Sequence, residues 1–525
     1  MKLTRVAIDD REYNALQKFD QKFLYLEDKK NVIEPICLVG ENGAGKSNLL
    51  ELISELFFRI EYDLRRIQRT LNDEKSVKPK YKVERKILIE YKLFDENGDE
   101  YAEVRIDSYS KEWRLSKLVD NEFIPISKEN LSELRRLMPD QVVGYSSGEN
   151  ESLSYWFTEL DKEYSDEIQK SADIRREEKS TNPRMIYLNY DTTSAIVIAN
   201  YMYNGSENLN VFRDTLRIDG VKSFRIYLNF KYKSGYVRLS AEHIEIIEKF
   251  KKCSTIHDIE TKEINYNQLK RKIDQPTLCS FDFYVDELTV QKFRDEFDSA
   301  QDLYMAFRKF ELLNSLKLSG SHRKSSLNKD VLHRPPTVGH EDRIFRIDDI
   351  ILKIKNPNIS IPYIGISDGQ HQFLQTIGTI LLFENKNVLF LLDEPETHFN
   401  PQWRSQFVYN LHQETIDRYQ EIILTTHSPY VVSDCEQYNV FVFKREGENV
   451  KFDNIDIQTY GTSFDNLLKR TFNVKHTISQ KAYNEIQELM KSDNPEYIQE
   501  RLDNMGPSFE KLPLLKKLKE LEPKS

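Results

Sequence analysis

The chain has 525 residues, 39% hydrophobic, 11% aromatic and 31% charged, with a formal net charge of −10. At about 150 residues per domain that length predicts two to four domains, and the acidic balance argues against a dedicated histone-like DNA binder, whose affinity depends on cationic surface. Four cysteines without CxxC spacing (Cys37, Cys253, Cys279, Cys435) argue against a disulfide framework or a zinc site and for a reducing cytoplasm; no apolar run approaches the roughly 20 residues that span a bilayer, and the start MKLTRVAIDDREY has charges where a signal peptide needs an apolar run.

The first informative element is PICLV, Pro35–Val39, a short apolar run of the kind that forms a buried parallel strand. It runs into GENGAGKSN, which fits G-x-x-x-x-G-K-[ST] at Gly40, Gly45, Lys46 and Ser47, with Asn42, Gly43 and Ala44 inside the loop and Asn48 just after it. Leu49, Leu50, Ile53, Leu56, Phe57 and Ile60 then recur at helical spacing. Strand, glycine loop and helix together make a phosphate cradle. Glycines let backbone N–H groups turn onto an anion, and the helix start adds partial positive charge. Lys46 is placed for the β- and γ-phosphates of ATP, and Ser47 for Mg2+.

A basic run follows. Residues 65–86 hold nine Lys/Arg against three acids; Arg65, Arg66, Arg69, Lys78, Lys80 and Lys82 are candidate DNA contacts, weighed against a plain solvated face. KILIEYKLF and YAEVRIDSY read as strands. From about residue 146 to 344 the pattern mixes strand-like runs (RMIYLNYD, SFRIYLNFKY, CSFDFYVDEL) with a helix-like one (AEHIEIIEKFKK), and predicts a mixed α/β insertion. Val290, Phe293, Phe297, Ala300, Tyr304 and Phe307 predict a single helix over Leu288–Leu318, and residues 325–340 read as a loop. The fragment ETK at Glu260–Lys262 is too short to mark a nuclease in so charged a chain, so nuclease chemistry is assigned to a partner.

In GISDGQHQFLQ, Ser367, Asp368, Gly369 and Gln370 fall at a helix start, a second anion-binding end. One nucleotide does not need two such ends from one chain; two chains head-to-tail use both. NVLFLLDEPETHFNP is a buried strand ending at Asp393, placed for the magnesium shell, with Glu394 as general base. EIILTTHSP is another buried strand, and His427 just beyond it can contact a γ-phosphate as neutral imidazole. The tail from Ser463 is helical in pattern, broken at Pro495, Pro507 and Pro513, and there is no internal repeat.

GENGAGKS, ISDGQ, LLDEPE and TTHSP, in that order and spacing, resemble the ABC-type ATPases, and GENGAGKSNLLE with DEPETHFNP is most similar to their soluble SMC-like and OLD-like branch. The whole chain looks like the restriction-system-associated ATPases of bacterial anti-phage loci, with Septu-type defence ATPases a close relative; GYSSGENE (Gly144–Glu151) and SDGQHQFLQ have counterparts there. The resemblance implies an α/β P-loop NTPase whose ABC-ATPase head is discontinuous: lobe one at 1–145, the insertion at 146–344, lobe two at 345–470 and a helical C-terminal segment at 471–525. It implies that Ser367, Asp368, Gly369 and Gln370 are the signature that closes in trans on a partner copy's γ-phosphate; Asp368 departs from the second glycine common there. It also implies that Gln141, 95 residues after Lys46, is the magnesium- and water-sensing glutamine. The activity expected is ATP hydrolysis in a cytoplasmic homodimer that controls a separate effector, an HNH or restriction-type nuclease, with phage nucleic acid a further partner and no membrane contact. The alternatives are a DNA-end-sensing repair ATPase, a transporter energy subunit, and a scaffold that holds ATP without turnover.

Overall fold

Strand residues in the middle of this protein are apolar without interruption, and such strands need cover on both faces. In the computed structural model, which describes residues 1–9, 16, 18–24, 31–70, 86–109, 112–148, 152–174, 182–203, 209–266, 271–318, 338–355, 358–446 and 449–521, they have it. A seven-stranded sheet runs in the order Asn449–Asn454, Val440–Glu446, Ile36–Gly40, Glu421–Thr425, Val388–Asp393, Gln141–Ser146, Met185–Leu188. All neighbours are parallel except the edge strand Asn449–Asn454. Successive side chains take opposite faces: Ile36, Leu38, Val142, Leu389, Leu391 and Ile423 enter one core, and Cys37, Val39, Val143, Phe390, Leu392 and Leu424 the other.

The first core is closed by the helix Lys46–Thr70 and, beyond it, by a six-stranded antiparallel sheet containing Lys2–Ile8, Ile87–Phe94 and Glu100–Asp107. Leu50, Ile53 and Phe57 of the helix share that core with Val6, Ile89 and Val104 of the sheet. A helix sandwiched between two sheets is apolar around most of its circumference, and this one is buried almost continuously from Leu49 to Tyr62. The second core is closed by the helices Tyr190–Tyr203, Ala300–Leu313 and Asp368–Leu382 and by a five-stranded antiparallel sheet in the order Ile256–Tyr266, Arg271–Tyr284, Ile218–Asn229, Phe345–Ile354, Ile359–Pro362. The last three helices, Gln480–Leu489, Pro495–Asp503 and Leu512–Leu521, build a small core of their own from Leu489, Ile498, Leu502, Leu514 and Leu518. Among the described residues no helix is long and apolar enough to cross a membrane.

Four expectations change. The run RMIYLNYD supplies Met185–Leu188, which pairs in parallel with Val142–Tyr145 and so extends the central sheet; a boundary at 146 falls inside the head. Phe345–Ile354, expected in lobe two, pairs instead with the insertion strand Ile218–Asn229, and Ile359–Pro362 adds to that sheet beside Phe345–Ile354. Periodicity identifies a strand but not its partner. The helix over Leu288–Leu318 is two helices, Glu287–Glu296 and Ala300–Leu313: Phe297 is extended, and the Ser299 hydroxyl caps the second helix by accepting from the Asp302 amide. The apolar rhythm continues across the break because both helices face the same core.

The fourth is the basic run. Lys78, Lys80 and Lys82 lie outside the described residues, as does the side chain of Arg69. Arg65 is described, and it is no surface residue: its side chain is 4% exposed. Its Nε donates to Glu61 Oε1 at 2.8 Å and its Nη1 to Glu167 Oε2 at 2.9 Å, and its guanidinium lies 3.5 Å from the Tyr164 ring centroid. The arginine joins the phosphate-loop helix to the helix Ser154–Ile174. Arg66 next to it is half-buried, with its guanidinium 5.5 Å from the Tyr62 ring. Arg65→Ala leaves the buried Glu61 carboxylate with Arg184 at 3.6 Å and is expected to cost on the order of 3 kcal/mol in denaturant unfolding. Unchanged stability, with only DNA affinity lost, would restore the surface reading of Arg65.

Candidate functional site

The site forms where the parallel strands end. Gly40 closes its strand with φ +136°, and a Cβ there would sit 2.2 Å from the Phe443 carbonyl oxygen on the adjacent strand. Only glycine allows that approach. The loop turns through Gly43 and Gly45, both at positive φ, into the helix at Lys46. Lys46 is buried; its Nζ donates to the carbonyls of Gly40 and Glu41, both at 3.0 Å. Burial pulls the ammonium below its usual range, and the nearby Glu394 and Asp393 carboxylates oppose that. An ammonium folded over its own loop is a charge ready to be handed to a phosphate.

Asp393 gathers the site. Its Oδ1 accepts from Ser47 Oγ at 2.8 Å and from Thr425 Oγ1 at 2.6 Å, and its Oδ2 from Ser146 Oγ at 3.3 Å. The hydroxyls come from the phosphate-loop helix and from the ends of both strands that flank Asp393. A serine oxygen beside a carboxylate, next to a phosphate loop, is a hard oxygen pair of the kind that would suit Mg2+. Glu394 follows in the left-handed region, φ +51°, with its N–H shared between Thr425 O at 3.2 Å and Thr425 Oγ1 at 3.0 Å. Its Oε1 lies 3.6 Å from His427 Nε2. Burial, and then the Lys46 charge, push the His427 imidazolium down, so the ring is neutral at pH 7. The Phe472 ring packs on the His427 ring at 5.8 Å between centroids.

Gln141 is not part of this cluster. It opens its strand opposite Val388, whereas Ser146 closes the same strand opposite Asp393. Five residues at about 3.3 Å each place Gln141 about 16 Å away, and its Oε1 accepts from Asn385 at the far end. Distance along the chain from Lys46 could not say which end of a strand a glutamine occupies. Ser146 and Ser147 stand there instead, the latter donating its amide to Asp393 O at 3.0 Å. Both belong to the GYSSGENE run, whose Glu149–Glu151 lie outside the described residues.

Ser367 caps the helix Asp368–Leu382 in a reciprocal box: its Oγ accepts from the Gln370 amide at 3.3 Å, and its own amide donates to Gln370 Oε1 at 3.0 Å. Ser367 and Asp368 are exposed, and the Asp368 carboxylate sits in the first turn, where the helix dipole favours it. Gly369 is buried because a Cβ would meet His398 O at 2.6 Å. The sequence reading missed Gln372, which pins this helix: its Nε2 donates to the Tyr145 hydroxyl at 2.8 Å, and its Oε1 accepts from the His398 amide at 2.8 Å. A polar residue on the apolar face of a predicted helix was the available signal. Tyr145 belongs to a strand three places from the phosphate-loop strand, about 14 Å at the usual strand spacing. Also missed were Thr425 and Glu396. Glu396 is buried; Thr426 Oγ1 donates to its Oε1, its Oε2 has no hydrogen-bond partner among the described residues, and burial pushes its carboxyl up to about 7.

Residues 155–433 match the family described as "AAA domain, putative AbiEii toxin, Type IV TA system". That span is just over half of the chain and takes in the Ser367 helix, Asp393, Glu394 and His427, but not the phosphate loop. The chain is 29% identical over 140 residues to Protein ea59 of Escherichia phage lambda, and the aligned part spans 27% of each protein. Among solved structures it is similar to an SmcHead bound to the C-winged helix domain of ScpA (11% identity, 87% of this chain and 98% of that one, TM-score 0.34). It is also similar to an SMC head domain from Thermotoga maritima (9%, 87% and 100%, 0.33) and to a Smc head domain with a coiled coil and joint derived from Pyrococcus yayanosii (10%, 89% and 99%, 0.34).

The buried Glu396 sets a pH dependence. An acid whose folded pKa is raised stabilises the fold while protonated, so its contribution is complete below about 4.5 and is lost as pH rises through about 7. Wild-type unfolding free energy should fall by up to roughly 3 kcal/mol between pH 5 and pH 8 from this group, and Glu396→Gln should flatten that fall in urea titrations. Equal slopes for the two proteins would show that Glu396 does not titrate in this window.

Proposed function

Since the chain belongs to this AAA-domain family and has the fold of an ABC-type P-loop ATPase, we propose that it hydrolyses ATP between two copies of itself and that this cycle controls a separate effector. The observation that carries the reading is the convergence on Asp393. The serine that ends the phosphate loop and the carboxylate that ends the acidic strand, 346 residues apart, are 2.8 Å from each other. Glu394 and His427 flank the same point.

In this reading the backbone of Gly40, Asn42, Gly43, Ala44, Gly45 and Asn48 cradles the phosphates, and Lys46 leaves its two carbonyls for the β- and γ-phosphates. Ser47 and Asp393 hold Mg2+, which neutralises charge on the phosphates when bound. Glu394 takes a proton from the attacking water, and neutral His427 contacts the γ-phosphate. Ser367, Asp368, Gly369 and Gln370 serve the nucleotide of the other copy: Ser367 and Asp368 sit exposed at the start of a helix pinned to Tyr145 and His398. ATP then acts as the ligand that favours the closed pair, and hydrolysis removes it.

The effector is proposed to be a nuclease, of HNH or restriction type, in bacterial defence against phage. The family description, which names a toxin of a type IV TA system, and the phage-encoded relative support placing this ATPase in conflict between phage and host. A cytoplasmic setting follows from that role. Direct action on DNA, the alternative, keeps its candidate contacts mainly in the part of the basic run outside the described residues; DNA-stimulated turnover that dies when the basic residues of 71–85 are neutralised would favour it.

Lys46→Ala should weaken ATP binding at least about 30-fold, the worth of charge-assisted contacts to phosphate. Glu394→Gln should bind ATP normally, lose on the order of 100-fold or more in turnover, and accumulate as a dimer in light scattering with ATP. A Glu394→Gln protein that turns over at the wild-type rate, or a wild-type protein that stays monomeric with ATP at full activity, would defeat the reading.

A further inference from the structure

Two consecutive serines end one strand, two consecutive carboxylates end the next, and the structure joins them in order. Ser146 Oγ donates to Asp393 Oδ2 at 3.3 Å. Ser147 reaches the second carboxylate through an intermediary: its Oγ is 3.2 Å from Thr397 Oγ1, and Thr397 Oγ1 is 3.2 Å from Glu394 Oε2. Thr397 is exposed and Ser147 half-buried, so neither hydroxyl is placed there by packing.

The proton count along this path is constrained. A hydroxyl carries one proton, and Thr397 Oγ1 has three acceptors in range: Ser147 Oγ, Glu394 Oε2 and, at 3.0 Å, the Glu394 carbonyl. That carbonyl already accepts the Thr397 amide at 3.3 Å. A charged carboxylate is the strongest of the three acceptors. Thr397 therefore donates to Glu394 Oε2, and its own oxygen accepts the Ser147 proton. Ser147 is in turn fixed by its amide on Asp393 O at 3.0 Å. Oε2 is thus held from this side, while Oε1 faces His427 at 3.6 Å.

We propose that Ser147 and Thr397 form a hydroxyl brace that positions the Glu394 carboxylate, so that the loop after the strand Gln141–Ser146 governs the reactive geometry of the general base. This rests on the hydrolytic reading above. Both are positioning residues: they act through Glu394 and need not touch the nucleotide.

The test compares Thr397→Val, which keeps the shape and removes the hydroxyl, with Thr397→Ser, which keeps the hydroxyl, and with Ser147→Ala. Each is assayed for steady-state turnover and, separately, for affinity for a fluorescent ATP analogue. Thr397→Val should lower kcat about 10- to 100-fold, the range of one hydrogen bond to a charged group, with nucleotide affinity within about threefold of wild type. Thr397→Ser should recover most of the rate. Ser147→Ala should lose less, and the Ser147→Ala/Thr397→Val double variant should be no slower than Thr397→Val alone, because the serine acts only through the threonine. Wild-type kcat in Thr397→Val, loss of nucleotide binding in parallel with rate, or multiplicative losses in the double variant would each overturn the brace. Glu394→Gln run alongside separates the two failures: a normal rate there removes the general base and the brace with it, whereas a slow Glu394→Gln beside a normal Thr397→Val removes the brace alone.

Discussion

The carboxylate of Asp393 is the one place where the chain's distant parts must agree. Ser47, Ser146 and Thr425 all donate to it, from the phosphate-loop helix and from the two strands on either side. Three hydroxyl donors satisfy the hydrogen-bonding capacity of one buried acid. They also fix the axial registers of three strands relative to one another, because a slip of one residue would turn a hydroxyl from the site to the opposite face of the sheet. The parallel pairing Asp393↔Thr425 and Asp393↔Ser146 is the same fact seen in the backbone.

That register is affordable because the sheet is covered twice. Leu38, Leu391 and Ile423 pack under the phosphate-loop helix while Val39, Leu392 and Leu424 pack on the other side. Side chains a few residues short of the strand ends are thus locked in close-packed cores. The strand ends inherit that rigidity, and the polar groups there need no induced assembly. What the cores do not lock is the face carrying Ser367 and Asp368, which reaches solvent from the end of a helix pinned by Gln372.

Legibility from the sequence followed the range of the interaction. The phosphate loop, its strand and its helix are contiguous, and GENGAGKS with the Leu49–Ile60 rhythm describes them. The Ser367 cap was equally local. The strands ending at Asp393 and before His427 were visible as apolar runs, and the geometry brings Lys46, Ser47, Asp393, Glu394 and His427 together. Gln141 failed because spacing along the chain carries no information on strand direction or end. Arg65 failed for a related reason: Glu167, its second carboxylate, is 102 positions away, so its charge looked unmatched. The boundary at 146 failed because Met185–Leu188 reads the same whether it extends the head or starts an insertion.

The same logic explains why hydroxyl residues were the ones overlooked. Ser146, Ser147, Thr397 and Thr425 are common residues whose chemistry depends wholly on what faces them. A serine on a turn is an ordinary cap or turn former; a serine beside a buried carboxylate supports catalysis or metal binding. Their positions are nonetheless ordered by the sheet. In a parallel sheet every strand delivers its last residue to the same edge, so once Asp393 and Glu394 are taken as the end of one strand, the residues ending its neighbours are determined by alignment alone. The SS of GYSS and the first T of the TT before His427 then stand out as side chains able to reach those acids. A reading that aligned the strand ends, rather than counting residues from Lys46, would have passed over Gln141 and arrived at Ser146.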